Sequence, residues 1–525
     1  LSEAQQQAIV QWVLLGGRIV VCVGARGAEI AAADSPWAPL IPGEFVEVDA
    51  LRERSGLESF TKSELPFDEP FFQRNRPHVT RLKNVRGEVL LDEVSSAAGR
   101  PLVIHAVAGL GLVTFVGIDL DHPSLKDWKG RPRLVAALLQ QGAGDRDQSD
   151  REARPGIRQL GYDDLIGQLR AALDQFSGVS LVNFTTVSVL TIVYLLLIGP
   201  GDYLLLSRLS LPRQLTWFTF PAVAFGIIVV AGMMDSRVHG SRVRVNQAEI
   251  VDIDLANQVA RGAVWCHLYS PTTKPYEAKL DLALPPGVGD SRAEGWLAWQ
   301  GLPGDSLGGL ESRQPALIRR EPYSVALPGL APEIEGLTVQ VASSKSLSAC
   351  WWSHTTLPAE TKLTIDRYGL LAGEFRLPVN AILMDCILAH GEKLYRVGTL
   401  GSGQRVQMAD LPPLDLEARL TQRRIEQTKD VSTPWEQDSV DIPRIVQMLM
   451  FHEAARGKSY TGLTHRYQPE LDLSEHVRLG QAVLVGRAKS PVARLVRSDS
   501  TNTPLAEPSD TSTWTWFRIV LPVQR

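Results

Sequence analysis

A multidomain protein with a membrane-embedded middle is predicted from three features of the chain. Two long uncharged stretches lie back to back near its centre. The part before them mixes a helical stripe with continuous apolar runs. The part after them alternates apolar and polar residues two by two. The divisions are an open α/β sheet domain over residues 1–140, a linker and amphipathic helix over 141–176, a transmembrane helical hairpin with spans at 177–206 and 214–234, and an all-β, sandwich-like region with one helix over 238–525, in one or two subdomains.

Composition sets the outer limits. At ~150 residues per domain, 525 residues correspond to about three domains. With 44% hydrophobic and 21% charged residues, the chain is too apolar and too weakly charged for disorder. Lys+Arg against Asp+Glu is 54 − 58 = −4, which excludes a generally basic nucleic-acid binder. Cys22, Cys266, Cys350 and Cys386 are too scattered for a disulfide framework or a zinc cluster. Cys350 and Cys386 would pair only if their Cα atoms came within ~7 Å. The chain opens on Leu1, and the expectation is that an N-terminal segment, including the first strand of the α/β sheet, lies upstream.

In the first domain, Ser2 and Gln5 form a capping box ahead of a stripe of Ala8, Ile9, Trp12, Val13 and Leu15. Gly16 and Gly17 stop that helix. The run RIVVCV over 18–23 reads as a strand covered on both faces. A tight turn at Gly24, Ala25 and Gly27 leads to a short helix near 28–33. Strands follow at 78–82, 88–91, 102–106 and 112–118, the last two joined by a hairpin-like turn at 108–111. A closing helix covers 131–140.

The polar run 141–155 reads as a linker, and 157–176 as an amphipathic helix that packs against the domains. Each uncharged stretch that follows reaches the ~20 residues needed to cross a bilayer. Tyr203, Trp217 and Phe218 sit where interface anchors belong. Gly199, Pro200, Gly201 and Asp202 are expected to end or kink the first span near the headgroups. Asn183 falls at the membrane, so its glycosylation pattern is set aside. A hairpin places both soluble parts on one side, with direct contact expected between the α/β domain, or the 157–176 helix, and the strand around 243–255.

Beyond residue 238, runs such as RVRVNQAEIVDIDL and GAVWCHLYSP alternate as antiparallel strands with one buried face. A helix over 442–455 interrupts them, with Pro443 in its first turn. His452 and Glu453 on it invite a zinc-protease reading, but that motif needs a second histidine at position 456, which is Arg456. His465 is a further candidate ligand. Both histidines read as ordinary helix and loop residues.

Three segments carry a family resemblance. LSEAQQQAIVQWVLLGGRIVVCVG resembles the part of class I glutamine amidotransferase-like (flavodoxin-like) domains of bacterial membrane proteins in which a helix ending in Gly-Gly leads into a central strand. GLGLVTFVGIDLDHPSLKDWKGRPRLVAALL is similar to the end of such domains. YLLLIGPGDYLLLSRL followed by LTWFTFP resembles the membrane hairpin behind them. The resemblance spans roughly residues 1–235 and implies a flavodoxin-like sheet, export of the soluble parts across the bacterial inner membrane, and an architecture rather than an activity.

Chemistry in that domain would fall to Cys22 as nucleophile with His105 as its partner. Cys22 lies inside an apolar run instead of between glycines, and His105 sits mid-strand without a carboxylate two residues on. Asp119, Asp121 and His122 cluster after a strand and offer a metal or base site. The competing readings are a core cysteine, a satisfied strand histidine and an Asx turn. The expectation is a non-catalytic, membrane-anchored protein without cofactor or metal, whose partners are the bilayer and proteins of an envelope complex. The alternatives are a tethered amidotransferase-like hydrolase and a transporter subunit that uses Asp202 as a contact.

Overall fold

The computed structural model describes residues 1–61, 69–94, 97–140, 157–159, 161–179, 184–209, 212–289, 293–301, 310–312, 323–325, 332–426, 429–499 and 502–524. The chain is a multidomain, mixed α/β protein with several sheets. Its first helix, Glu3–Leu14, starts on the expected capping box, the Ser2 hydroxyl accepting from the Gln5 amide at 3.3 Å and the Gln5 side chain from the Ser2 amide at 2.9 Å. Gly16 follows at φ +119°, a conformation that side chains resist. The strand Arg18–Cys22 is the edge of a four-stranded sheet ordered Arg18–Cys22, Gly111–Val116, Ala97–Ala108, Glu88–Val94. The first pairing is parallel and the other two antiparallel.

Two expectations change here. Arg18–Cys22 is half-buried throughout, because an edge strand has a neighbour on one side only. Glu44–Ala50, unread in the sequence, pairs antiparallel with His78–Lys83 as a separate ribbon. Its acidic residues conceal the strand pattern. The closing helix forms at Arg131–Gln140, and its Leu134 and Leu138 pack on Leu102, Val103 and Val116.

The segment expected to be one amphipathic helix splits in two. Ile157–Gln159 is a strand paired with Leu310–Ser312. The helix itself is only Leu165–Leu173, capped by Asp164, and it packs into the core as expected.

Asp202 does not end the following helix. Phe184–Leu196 continues as a π turn at Leu197–Gly201 and then as Asp202–Arg208. The wider turn absorbs Pro200, which lacks the amide an α-helix needs. Among the described residues, Val187–Arg208 is the one helix long and apolar enough to cross a membrane. The second helix, Thr216–His239, holds a shorter apolar stretch, Thr216–Val230. Asp202 is buried and accepts a 2.6 Å hydrogen bond from Thr219 of that second helix, so it faces its own chain.

The C-terminal region is built on one nine-stranded sheet. Its order is Glu294–Trp299, Ser343–His354, Val259–Ser270, Arg244–Asp254, Thr511–Leu521, Ala482–Ala488, Leu383–His390, Lys393–Leu400, Pro413–Asp415. The last long strand of the chain thus lies parallel beside the first strand of the region, at the centre. One face packs Val251, Ile253, Leu268 and Phe517 against two smaller sheets carrying Tyr276, Leu280, Leu363 and Phe375. The other face packs Ala248, Ile250, Trp265 and Trp516 against Leu165, Leu169, Ile445 and Leu449. Central strands are therefore buried on both faces, not one as the alternation implied. The helix read at 442–455 is Ile442–Met450 followed by a 3-10 turn, and Leu416–Leu420, Lys458–Thr461 and Ser474–Arg478 join it in a helical layer.

Candidate functional site at the interdomain junction

Three ionisable residues from the nine-stranded sheet anchor the junction. Asp252 holds Arg518 through two bonds, Nε to Oδ1 at 2.5 Å and Nη2 to Oδ2 at 2.7 Å. The same carboxylate takes Nε of Arg261 at 2.8 Å. All three side chains are buried. Burial alone would raise the Asp252 carboxyl, but the Arg518 and Arg261 charges outweigh it and hold the group below its ordinary range. The guanidinium of Arg261 then reaches outward. Its Nη1 donates to the Leu15 carbonyl of the α/β domain at 2.6 Å, and its Nη2 to the Glu470 carbonyl at 2.8 Å. The planar fork of a guanidinium serves these three acceptors at once. Gly16 leaves the room, since a Cβ there would lie 1.8 Å from Nη1 of Arg261.

A second lock lies alongside. Glu475, from the Ser474–Arg478 helix, stands between Arg18 at 3.6 Å and His105 at 3.7 Å. Burial pushes Glu475 up, while His105 and Arg18 pull it below its usual value. Arg478 pairs with Glu88. Leu110, at the tip of the 108–111 turn, is buried among Leu165, Leu473 and Val477 of the helical layer. The α/β domain is thus keyed into the C-terminal region by an apolar peg and two ionic contacts.

A cleft of about 730 Å³ opens at this junction. Trp12, Trp296 and Trp352 line it with Arg18, Glu294 and Glu470. Trp12 is 55% exposed. Trp296 belongs to Glu294–Trp299, the outermost strand of the large sheet, and no strand among the described residues pairs with its outer edge. Aromatic walls beside the outermost strand form a surface that suits an extended chain.

Cys22 and His105 are not brought together. His105 pairs with Thr114, which pairs with Val20, so His105 is two strands across and two residues back from Cys22. At ~4.8 Å per strand and ~3.3 Å per residue the separation is about 12 Å. His105 Nδ1 contacts the Thr114 hydroxyl at 3.1 Å, and its other side meets Glu475. The Cys22 thiol is pushed up to about 11 by burial and by the Asp119 and Asp121 charges. Those charges oppose a thiolate, the reverse of an activated site.

Asp119, Asp121 and His122 are each engaged locally. Asp119 accepts from the Asp121 amide at 2.9 Å, Asp121 takes Arg131 at 2.6 Å, and His122 caps the short helix Pro123–Lys126 with Nδ1 2.8 Å from the Ser124 hydroxyl. Their atoms do not converge as a ligand set; among the described residues the trio that does is His452, His465 and Asp472. Asn183 lies outside the described residues. Cys350 and Cys386 are free and stand five strands apart, about 24 Å, so they do not pair.

Sequence reasoning missed Arg261, Arg518 and Glu475. One signal was present. Arg518 interrupts the apolar run TWFRIVL, and an arginine in a central strand must find a buried partner.

No protein-family model matches the chain, and no curated protein matches it. Two solved structures align with 54% of this chain and 98% of their own at 8% identity: the yeast delta-COP-I mu-homology domain complexed with a Dsl1 WxWxV peptide, TM-score 0.19, and the same yeast domain alone, TM-score 0.18. Scores this low establish no shared fold.

Proposed function

We propose that this chain is a non-catalytic, membrane-anchored protein of the bacterial inner membrane that binds a polypeptide partner in an envelope complex. The observation that carries the reading is the use of His105. His105 stands about 12 Å from Cys22 and faces Glu475 across the junction at 3.7 Å, so the candidate catalytic pair is not assembled. In this reading the domain derives from the glutamine amidotransferase-like (flavodoxin-like) family, the Val187–Arg208 helix and its return through Thr216–His239 hold the protein in the bilayer, and both soluble parts face outward. Trp217, Phe218, Phe225 and Ile228 are well exposed, which suits a lipid-facing surface. The locked junction supports placement of both soluble parts on one side. The partner segment would lie in the tryptophan-lined cleft, beside Glu294–Trp299.

A photo-crosslinking residue in place of Glu294, in native membranes, tests this. A discrete crosslinked protein species that disappears when Trp296 and Trp352 are replaced by alanine is expected. Absence of any crosslink, or amidase activity that Cys22→Ser abolishes, overturns the reading. Cysteine labelling of intact cells at exposed sites before and after the helices checks orientation. Labelling of one part alone refutes it, and so does labelling of neither.

A further inference from the structure

The end of the Ile442–Met450 helix and the loops behind it form a buried cluster behind the wall of the partner cleft, where Asp472 follows the lining residue Leu471. His452, His465 and Asp472 each present one ligand-capable atom, and these atoms all lie within 4.8 Å of one another. All three side chains are buried. We propose that His452, His465 and Asp472 bind a divalent transition ion of the zinc class, which fastens the helix end to the two loops carrying His465 and Asp472.

Three observations argue for an ion over an empty polar knot. The first is His465. It is 9% exposed, and neither of its ring nitrogens has a hydrogen-bond partner. Buried polar atoms are nearly always satisfied, so two open nitrogens on one ring call for a ligand.

The second is His452. Its Nε2 stands 3.2 Å from the Leu463 carbonyl and 3.2 Å from the Thr461 hydroxyl. A carbonyl can only accept, so the ring proton belongs on Nε2. That leaves Nδ1 as the lone pair, and Nδ1 is the ring nitrogen without a hydrogen-bond partner. A ligand histidine whose far N–H is held by a backbone carbonyl is the ordinary way a metal site fixes ring orientation.

The third is Asp472. Its Oδ1 accepts from the Ser474 amide at 2.8 Å and hydroxyl at 2.5 Å, and its Oδ2 from the Glu453 amide at 2.9 Å. The carboxylate is therefore held in a fixed orientation beside the two rings. Two imidazoles and one carboxylate suit zinc and its neighbours better than magnesium or calcium, which prefer all-oxygen sets. Glu453, with Oε1 3.5 Å from Nδ1 of His452, is the carboxylate nearest to completing four ligands. The helical zinc motif failed at Arg456 because the second histidine comes from a loop thirteen positions on, not from the same helical face.

The test uses the full chain purified in detergent, stripped with a chelator and titrated with Zn²⁺ or Co²⁺. One equivalent per chain is expected, with the visible absorption of a four-coordinate Co²⁺ site and no competition from Mg²⁺. His465→Gln should weaken binding by at least about tenfold, the loss ordinary for groups one shell further out. His465 makes no hydrogen bond, so this variant removes a ligand without removing a structural bond. Asp472→Asn should weaken binding similarly. At a fixed zinc concentration the unfolding temperature of the parent chain should rise more than that of His465→Gln. A parent chain that takes up no stoichiometric ion, or a His465→Gln variant that binds as tightly as the parent, overturns the site.

Discussion

Replacing Arg261 by alanine should separate the α/β domain from the C-terminal region without unfolding the sheet beneath. Arg261 spends one guanidinium on three acceptors: Asp252, the Leu15 carbonyl and the Glu470 carbonyl. Hydrogen bonds to a charged group contribute ~1.5–3 kcal/mol each, and they are not additive. Asp252 keeps its two bonds to Arg518, so the buried carboxylate is not orphaned. The expected loss is therefore about 3–5 kcal/mol, the size of breaking one partner out of a buried ionic set. Chemical denaturation in detergent, followed by tryptophan fluorescence, should show the α/β domain unfolding in a separate, earlier step. Asp252→Ala should cost as much or more, because it leaves two buried arginines unpaired. The double variant should lose less than the sum of the singles, by more than ~0.5 kcal/mol. A loss below ~1 kcal/mol for Arg261→Ala, or strict additivity with Asp252→Ala, would show that the junction rests on the Leu110 peg and Glu475 and would refute the reasoning. The Asp252 contribution also has a pH sign. Its folded value lies below the ordinary 3.8, so its stabilisation is complete above 3.8 and is lost as pH falls through the folded value.

Other expectations are as direct. Gly16→Ala should destabilise the same junction, since φ +119° and the 1.8 Å approach to Arg261 both oppose a side chain; unchanged thermal unfolding would contradict it. With its thiol near 11, Cys22 should hold roughly one part in ten thousand thiolate at neutral pH and alkylate slowly, and rapid modification would revive the nucleophile. Glu249, buried under Thr515 and the Val492 and Ala493 amides, is pushed up from 4.5 to about 7, a step worth roughly 3 kcal/mol. Because the folded state holds its proton longer, stability from this group is greatest below 4.5, falls between 4.5 and 7, and is flat above. The penalty of Glu249→Gln should accordingly be larger near ~pH 5 than near ~pH 8, and a penalty that grows with pH would reverse the assignment.

The sequence by itself determined the local elements whose signals are contained in a few neighbouring residues. The Ser2–Gln5 capping box, the Gly16–Gly17 stop, the hairpin about 108–111 and the Arg131–Gln140 helix all follow from capping chemistry, glycine and apolar period. The first uncharged stretch lies largely within the apolar helix Val187–Arg208, whereas the second, expected to span at 214–234, keeps only the shorter apolar stretch Thr216–Val230. Tertiary structure decided what each element faces. VDIDL reads as a strand with a wet face because its aspartates alternate with apolar residues. Asp252 is buried nonetheless, since Arg518, 266 positions away, lies on the adjacent parallel strand. Alternation reports which residues share a face, and only the partner across the sheet determines whether that face is wet. The same reason hid the His452, His465 and Asp472 cluster, whose members come from a helix end and two loops, and it turned His105 from a possible catalytic base into half of a domain lock. Side-chain type limits the chemistry a residue can do, whereas the charge and shape placed opposite it by distant chain select which of those roles it fills.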